Sequence, residues 1–271
     1  MHEFQTPGAV LLRIAVPSGE VTIESGNVGM VEVEVVALRD DETSRRAAEE
    51  TRVEALERRG RHEIVIEAPK RRSGFSWRDV KLGVRVACPD GADVELSTAS
   101  ADLDARGRLG AVGVKTASGD VVAAACASLS VSSASGDVQA REVTSEVNVK
   151  TASGDVEIGS VGGRASINSV SGDVRVGHAA DLVTLNSVSG DVEVEALAGG
   201  GLRANAVSGD LSIGVVPGLR LWIDAHSVSG TMSSNLEVGD EPPGGSGEAV
   251  VELRARSVSG DVHIARAAVR A

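Results

Sequence analysis

The sequence has very few aromatic residues. Among its 271 residues there are two Phe, two Trp and no Tyr. Globular cores usually gain a large part of their buried area from aromatic side chains, so a thick core of that kind is not expected. A core of Val, Ala, Leu and Ile in thin stacked layers does not need aromatic side chains, and these residues are abundant. The composition therefore favours a layered architecture.

Cysteine is also scarce. Cys88 and Cys126 are the two cysteines, and no Cys-x-x-Cys motif occurs. One pair in a chain of this length is not a disulfide framework. We expect two small buried or half-buried thiols in a reducing compartment.

Basic residues are outnumbered by acidic ones. The chain has 27 Lys and Arg against 39 Asp and Glu, which gives a formal net charge of -12. Phosphate backbones are bound by basic surfaces that release counterions. The charge therefore argues against a nucleic-acid partner, and it argues equally against docking on anionic lipid.

Long apolar runs are absent too. No stretch of 18 or more apolar residues occurs, and the first twenty residues have neither a basic segment nor an apolar core of the kind found in signal peptides. The sequence thus predicts neither a signal peptide nor direct membrane insertion. On this basis we expect a cytoplasmic protein.

What the sequence does have is an internal repeat. The phrases "TASGDV" and "SVSGDV" return at intervals of 17 to 21 residues, followed by one interval of 30. Aligned on the residue after Ser-Gly (Ser-Ala in the first copy), eight of nine copies carry aspartate and the other carries Thr231. The eight aspartates are Asp102, Asp120, Asp137, Asp155, Asp173, Asp191, Asp210 and Asp261. A period this steady indicates a solenoid.

Within each copy the apolar residues alternate with polar ones. In "DVEVEAL", Val192 and Val194 are expected to point inward and Glu193 and Glu195 outward, which is the pattern of a strand with one buried face. The alternation slips by one at Ser-Gly-Asp, where glycine allows a corner. The sequence therefore predicts an all-β, single-stranded parallel β-helix of about 18 residues per coil.

The aspartate column has a structural and a metal-binding interpretation. Stacked coils lie about 4.8 Å apart, and a buried column of carboxylates at that spacing would repel strongly. The column must therefore face water, accept backbone N–H groups at the corner, or bind cations. We favour a structural corner column in which each Asp bonds backbone two residues on. Calcium on this column is the weaker alternative, because the glycine-rich nonapeptide calcium repeat is missing. No catalytic residue, cofactor or metal ligand set is predicted.

Residues 1–90 lack the clean repeat and are interpreted as a β-rich cap on the first coil. Ser18-Gly19-Glu20 is a degenerate copy of the corner. Residues 42–51 predict one short helix, and residues 52–69 predict a hairpin that turns at Arg59-Gly60. The basic cluster Lys70, Arg71, Arg72 and Arg78 is interpreted as a solvated loop, with a docking patch as the alternative.

Residues 91–271 are predicted to form the solenoid, with a loop insertion at 235–248. Pro242-Pro243-Gly244-Gly245 is compatible with neither strand nor helix. The last copy, "VELRARSVSGDVHIARAAVRA", is followed by no capping helix. We expect it to form an open end that is covered by the loop or pairs with another copy.

The repeated "TASGDV" and "SVSGDV" phrases, the "ETRVEALE" to "EIVIEAPK" passage and the closing "SVSGDVHIARA" resemble a bacterial β-strand-repeat family of unknown function. It is labelled "putative adhesin" and is also called the toastrack domain. The resemblance implies a β-solenoid with no assigned enzyme activity. It also implies a link with membrane-anchored envelope-stress systems, in which members serve as assembly platforms.

The expected function is therefore a non-enzymatic scaffold or protein-interaction module that binds protein partners or further copies of itself. The alternative is a polysaccharide-binding or polysaccharide-cleaving β-helix protein. Sugar binding favours exposed aromatics, of which the repeats offer only Trp222. Glycosidic chemistry requires two carboxylates in unlike environments, whereas the aspartates of the column share the same neighbours.

Overall fold

The computed structural model describes residues 1–27, 29–58, 60–69, 80–236 and 250–267. It is all-β with one short helix in the described part and confirms the predicted solenoid. The chain divides into two compact units, residues 1–140 and 141–271. Within the described residues, no helix is both long and apolar enough to cross a bilayer. The predicted basic cluster at 70–78 and most of the predicted loop at 235–248 lie outside the described residues.

The first unit contains the helix and eight complete strands. These are β1 (His2–Gln5), β2 (Val10–Ser25), β3 (Met30–Ala37), α1 (Glu42–Glu49), β4 (Arg52–Arg58), β5 (Arg61–Glu67), β6 (Leu82–Cys88), β7 (Asp93–Lys115) and β8 (Val121–Ser135).

The second unit contains most of β9 and all later strands. These are β9 (Val138–Ser153), β10 (Val156–Val161), β11 (Ala165–Ser171), β12 (Val174–Ala179), β13 (Val183–Ser189), β14 (Val192–Leu197), β15 (Gly201–Ser208), β16 (Leu211–Val215), β17 (Arg220–Ser229), β18 (Met232–Ser234), β19 (Val250–Ser259) and β20 (Val262–Arg266).

The core of the second unit is a stack of small aliphatic residues. Val174 pairs with Val192 and Val176 with Val194 across parallel strands, so identical positions of successive coils lie one above another. Val192 and Val194 are buried, while Glu193 and Glu195 are partly exposed, as the alternation predicts. Each coil thus adds a thin layer of Val, Ile, Leu and Ala, which explains how the protein forms a core with so few aromatics.

The glycine of the corner is required by both conformation and space. Gly190 has a φ of 119°, a region that L side chains rarely adopt. A Cβ at this position would lie 2.3 Å from the carbonyl oxygen of Gly172 in the preceding coil. The same close approach recurs at Gly209 and Gly260, so the corner glycines form a tightly stacked column.

The order of coils at the end of the second unit differs from the order in the sequence. β19 pairs in parallel with β15 on one side and with β17 on the other, and β20 lies in the same way between β16 and β18. The last coil in the sequence is therefore an internal layer, and the prediction that it forms the open end is wrong. Among the described residues, the outermost coil is built from β17 and β18.

A difference in apolar content at one inward position of the two coils favours this exchange. Leu253, Val262 and Ile264 of the inserted coil are fully buried. The outermost coil has Ser234 opposite Ile264, and its Met232 is 49% exposed. The more apolar coil thus occupies the internal layer, where both of its edges are covered.

The first unit shows a similar insertion near its beginning. β2 pairs in parallel with β5 and β6 on one side and with β7 on the other. Ser18 and Gly19 lie opposite Ser100 and Ala101, so the degenerate corner is a coil of the solenoid. Strands within the expected cap at 1–90 thus already stack as solenoid layers.

Antiparallel strands cover the outer edge of the first layer. β4 forms a hairpin with β5, and β3 pairs with β6. The helix α1 begins after Asp41, whose carboxylate accepts the Ser44 N–H at 2.7 Å, and this bond lowers the pKa of Asp41. The predicted helix and hairpin thus correspond to α1 and to β4 with β5.

The corner glycine gives a direct stability test. Gly190→Ala is expected to destabilise the protein by about 3 kcal/mol, because it adds an unfavourable φ to an overlap with backbone. The matched control is Gly113→Ala: its Cβ would lie 3.7 Å from the nearest atom, and its φ is not in the left-handed region. Urea unfolding midpoints measure both changes. Equal stability of the two variants would contradict the stacked-glycine account.

Candidate interaction surface

An exposed row of five valines runs along the second unit. Its members occupy the position three residues before the repeat's aspartate column. In spatial order, with the exposed fraction of each residue, they are Val170 (51%), Val188 (47%), Val207 (49%), Val258 (51%) and Val228 (70%). The residues just before them, such as Ser169, Ser187 and Ala206, are paired in register across adjacent parallel strands. Successive valines are therefore about 4.8 Å apart. We call these five residues the valine row.

The valine row is specific to the second unit's later coils. The corresponding residue is alanine in the first four copies of the repeat, Ala99, Ala117, Ala134 and Ala152. Five of the ten large hydrophobic side chains exposed in the described residues belong to this row. Scattered exposed valines are normal on a protein surface, whereas a contiguous apolar strip indicates contact with another molecule.

A row of hydrogen-bond donors and cations lies beside the valines on the same outer face. Its members stand two residues before each valine or its alanine equivalent: Lys150, Asn168, Asn186, Asn205, Arg256 and His226. The Asn186 amide donates to Asn168 Oδ1 at 2.9 Å, and the Asn205 amide donates to Asn186 Oδ1 at 3.0 Å. We call these six residues the donor row.

The predicted aspartate column lies on the other side of the valine row, at the corner. Asp173 Oδ1 accepts the backbone N–H of Asp191 at 2.8 Å, and Asp191 Oδ1 accepts that of Asp210 at 2.8 Å. The same bond to a backbone N–H of the following layer is made by Asp102, Asp120, Asp155, Asp210 and Asp261. Asp137 donates its N–H to Asp120.

The aspartate bond therefore differs from the one expected from sequence. The expected partner was backbone two residues on in the same coil, whereas the partner found is the equivalent residue of the next coil. The signal for this was the repeat itself, because an identical corner in the next layer places its N–H about 4.8 Å away. The carboxylates thus link layers, and they stay exposed to water, which weakens their mutual repulsion.

A shallow groove of about 460 Å³ adjoins the aspartates. Its lining includes four aspartates of the column, Asp155, Asp173, Asp191 and Asp210, together with Arg175 and Glu193. Arg175 Nε donates to Glu193 at 2.8 Å. Among the described residues, no group of three or more His, Cys, Asp or Glu is arranged to hold a metal ion.

The hydroxyl column one position after the donor row, between it and the valine row in the sequence, faces the core. Ser169, Ser187 and Ser257 are buried, and Ser169 donates to the carbonyl of Ser171 at 3.1 Å. The column contributes to packing and takes no part in the outer surface.

Groups with catalytic potential are few in the described residues. Ser233 Oγ lies 2.8 Å from His263 Nδ1, on an exposed face, and no described carboxylate orients the ring from its other nitrogen. Both cysteines are buried, and burial raises the pKa of Cys88 to about 12 and that of Cys126 to about 11. Such thiols are poor nucleophiles at neutral pH.

Comparison with known proteins identifies the family of the chain. The sequence profile of the family described as Toastrack DUF4097 matches residues 11–265. A crystal structure of a "putative adhesin" from Bacteroides fragilis is 11% identical, covers 97% of this chain and 95% of its own, and has a TM-score of 0.44. A "putative cell adhesion protein" from Clostridium sporogenes is 12% identical over 97% and 94%, with a TM-score of 0.26. No curated protein matches significantly.

The aspartate ladder predicts different effects for two substitutions at one position. Asp191→Asn keeps an acceptor oxygen for the Asp210 N–H and removes one of a series of like charges, so stability is expected to be unchanged or higher. Asp191→Ala removes the acceptor and is expected to cost about 1 kcal/mol. Chemical unfolding measures both.

Calcium provides the second arm of this test. For a ladder that bonds backbone, the melting temperature is expected to be the same in millimolar calcium and in chelator. A calcium-dependent rise that Asp191→Asn abolishes would support the cation alternative and contradict the hydrogen-bond account.

The buried thiols predict a simple chemical result. At pH 8 the native protein is expected to leave both cysteines unmodified by Ellman's reagent over minutes, since their raised pKa values keep them as thiols and burial blocks access. Unfolding in guanidinium is expected to release two reactive thiols per chain. Fast reaction of either cysteine in the folded protein would show that its cover opens.

Proposed function

Because the chain belongs to the Toastrack DUF4097 family, we propose that it is a non-enzymatic β-solenoid platform that binds protein partners, further copies of the chain included, through the face that carries the valine row. The observation that carries this proposal is the exposure of five stacked valines at 47 to 70%. Protein interfaces combine an apolar centre with a polar rim. The valine row between the donor row and the aspartates has that arrangement.

The rigidity of the face also supports binding of a macromolecule. Each outer side chain stands on a parallel strand whose neighbours on both sides are hydrogen bonded, except in the outermost coil. A flat and pre-ordered face loses little conformational entropy when a partner docks. The face is also long enough to contact a partner over several coils at once.

Three observations favour a non-enzymatic role over polysaccharide cleavage. The aspartates that accept a backbone N–H have equivalent surroundings, whereas an acid and a nucleophile need unlike ones. The groove beside them is shallow. Trp222 is 39% exposed, and the guanidinium of Arg254 lies 5.4 Å from its ring centre, so one face of the indole is already occupied.

The proposal extends to where the platform acts. The resemblance to a family linked with envelope-stress systems suggests that the partner belongs to a membrane-associated assembly, and we place the platform on the cytoplasmic side of that membrane. The platform would then bind a membrane protein's exposed segment without entering the bilayer itself. The net charge of -12 favours a contact with protein over one with anionic lipid.

The test uses alanine, the residue that earlier coils carry at the same position. The triple variant V170A, V188A and V207A is expected to keep its melting temperature within a few degrees and to lose at least about tenfold in affinity for the protein partner. Affinity capture from a lysate of the source organism identifies candidates, and calorimetry with the purified candidate gives the affinity. The control is Val122→Ala, which truncates a valine of similar exposure (42%) in the first unit.

Two results would contradict the proposal. One is a purified partner that binds the triple variant and the wild type equally well. The other is release of unsaturated ends from uronate polymers by the purified chain, which would identify it as an enzyme.

A further inference from the structure

We infer that the valine row binds the valine row of a second copy of this chain, in a two-fold pair whose axis runs parallel to the stacking direction of the coils. This inference rests on the proposed function and names one partner for that surface. It is carried by the spacing of the row and by the charges on its two sides.

The spacing of the row matches another solenoid better than it matches a helix. Parallel strands repeat every 4.8 Å or so, whereas turns of an α-helix repeat every 5.4 Å. Over the four intervals between Val170 and Val228 the mismatch with a helix grows to about 2.4 Å, which is half a layer. Two copies of this chain have the same repeat, so all five valines can be in contact at once.

The charges beside the row select one of two arrangements. A two-fold axis across the stacking direction would place the aspartates of one copy against the aspartates of the other, where like charges repel. An axis along the stacking direction instead places each aspartate against the donor row of the partner. Lys150 then faces Asp155 of the other copy, and Arg256 faces Asp261.

These pairs occur in matching layers without any shift of register. Lys150 and Asp155 belong to one coil, and Arg256 and Asp261 belong to another. Between them, Asn168, Asn186 and Asn205 offer amide donors to the aspartates opposite. Because each contact occurs twice around the axis, the pair is closed and does not grow into fibres.

The size of the face indicates a weak and reversible pair. Five layers at about 4.8 Å and three outward positions per strand give about 500 Å² per copy and about 1,000 Å² in total. That total lies near the lower limit for a specific interface. We therefore expect dissociation constants in the micromolar range or above.

The main experiment is sedimentation velocity of the full chain from about 1 μM to about 1 mM. The wild type is expected to show a reversible monomer–dimer equilibrium. Val188→Asp places two carboxylates against each other on the axis and is expected to give monomers throughout. Val122→Asp, at a position of matched exposure, is expected to leave dimerisation unchanged. A wild type that stays monomeric, fibres, or equal loss in both variants would overturn the inference.

A cross-linking experiment tests the direction of the axis. With a short bismaleimide, Val170→Cys is expected to cross-link to itself, because Val170 faces Val170 of the partner only in the parallel pair. Val207→Cys, at the middle of the row, lies near itself in either direction and serves as the positive control. Cross-linking of Val207→Cys without Val170→Cys would contradict the proposed axis.

The outcome also separates this inference from the proposed function. If the wild type is monomeric but a purified partner binds the triple alanine variant more weakly, the inferred pairing of two copies is wrong and the proposed function is retained. If neither association depends on the valines, both proposals fail.

Discussion

The structure depends on the close stacking of identical corners. At Ser-Gly-Asp the chain turns while the glycine of one layer lies directly against the carbonyl of the layer before it, leaving no room for a Cβ. The aspartate that follows accepts the N–H of its own equivalent in the next layer. Because both contacts join equivalent residues, they fix the register of neighbouring coils, and a slip by one residue would lose them together.

The register that is fixed at the corner determines which residues of successive coils lie above one another. Inward positions of successive layers coincide, so a thin core of Val, Ile and Leu stays continuous without aromatic side chains. Outward positions coincide as well, so any residue type repeated in the sequence becomes a row on the surface. The valine row, the donor row and the aspartate ladder are three results of this one constraint. The surface that we propose as functional is therefore a pattern of rows.

Much of this architecture could be predicted from the sequence, because the repeat encodes it. The alternation around Val192 and Val194 and the unusual backbone at Gly190 follow from local chemistry and composition. The order of layers could not be predicted in the same way. The copies with Thr231 and Asp261 are alike in sequence, and only the comparison of Ser234 with Ile264 at one inward position indicates which coil is internal.

The candidate surface was missed for a related reason. The change from alanine to valine three residues before the aspartate is visible in the sequence, but the alternation alone does not fix which positions around the corner are exposed. The slip in parity near Ser-Gly-Asp makes that assignment ambiguous. The burial of Ser169 and Ser187 in the structure resolves it. Successive side chains of a strand point to opposite faces, so the valines that directly follow these serines must face outward.

An exposed apolar row on a flat parallel sheet would ordinarily favour aggregation. Here several features restrict it. The row is one residue wide, and the carboxylates on one side and the cations and amides on the other limit how another strand-rich surface can approach. The net charge of -12 adds a general repulsion between copies. An apolar strip with unlike polar borders thus discriminates between orientations of a partner, which is what a platform requires if it is to assemble other molecules in one arrangement.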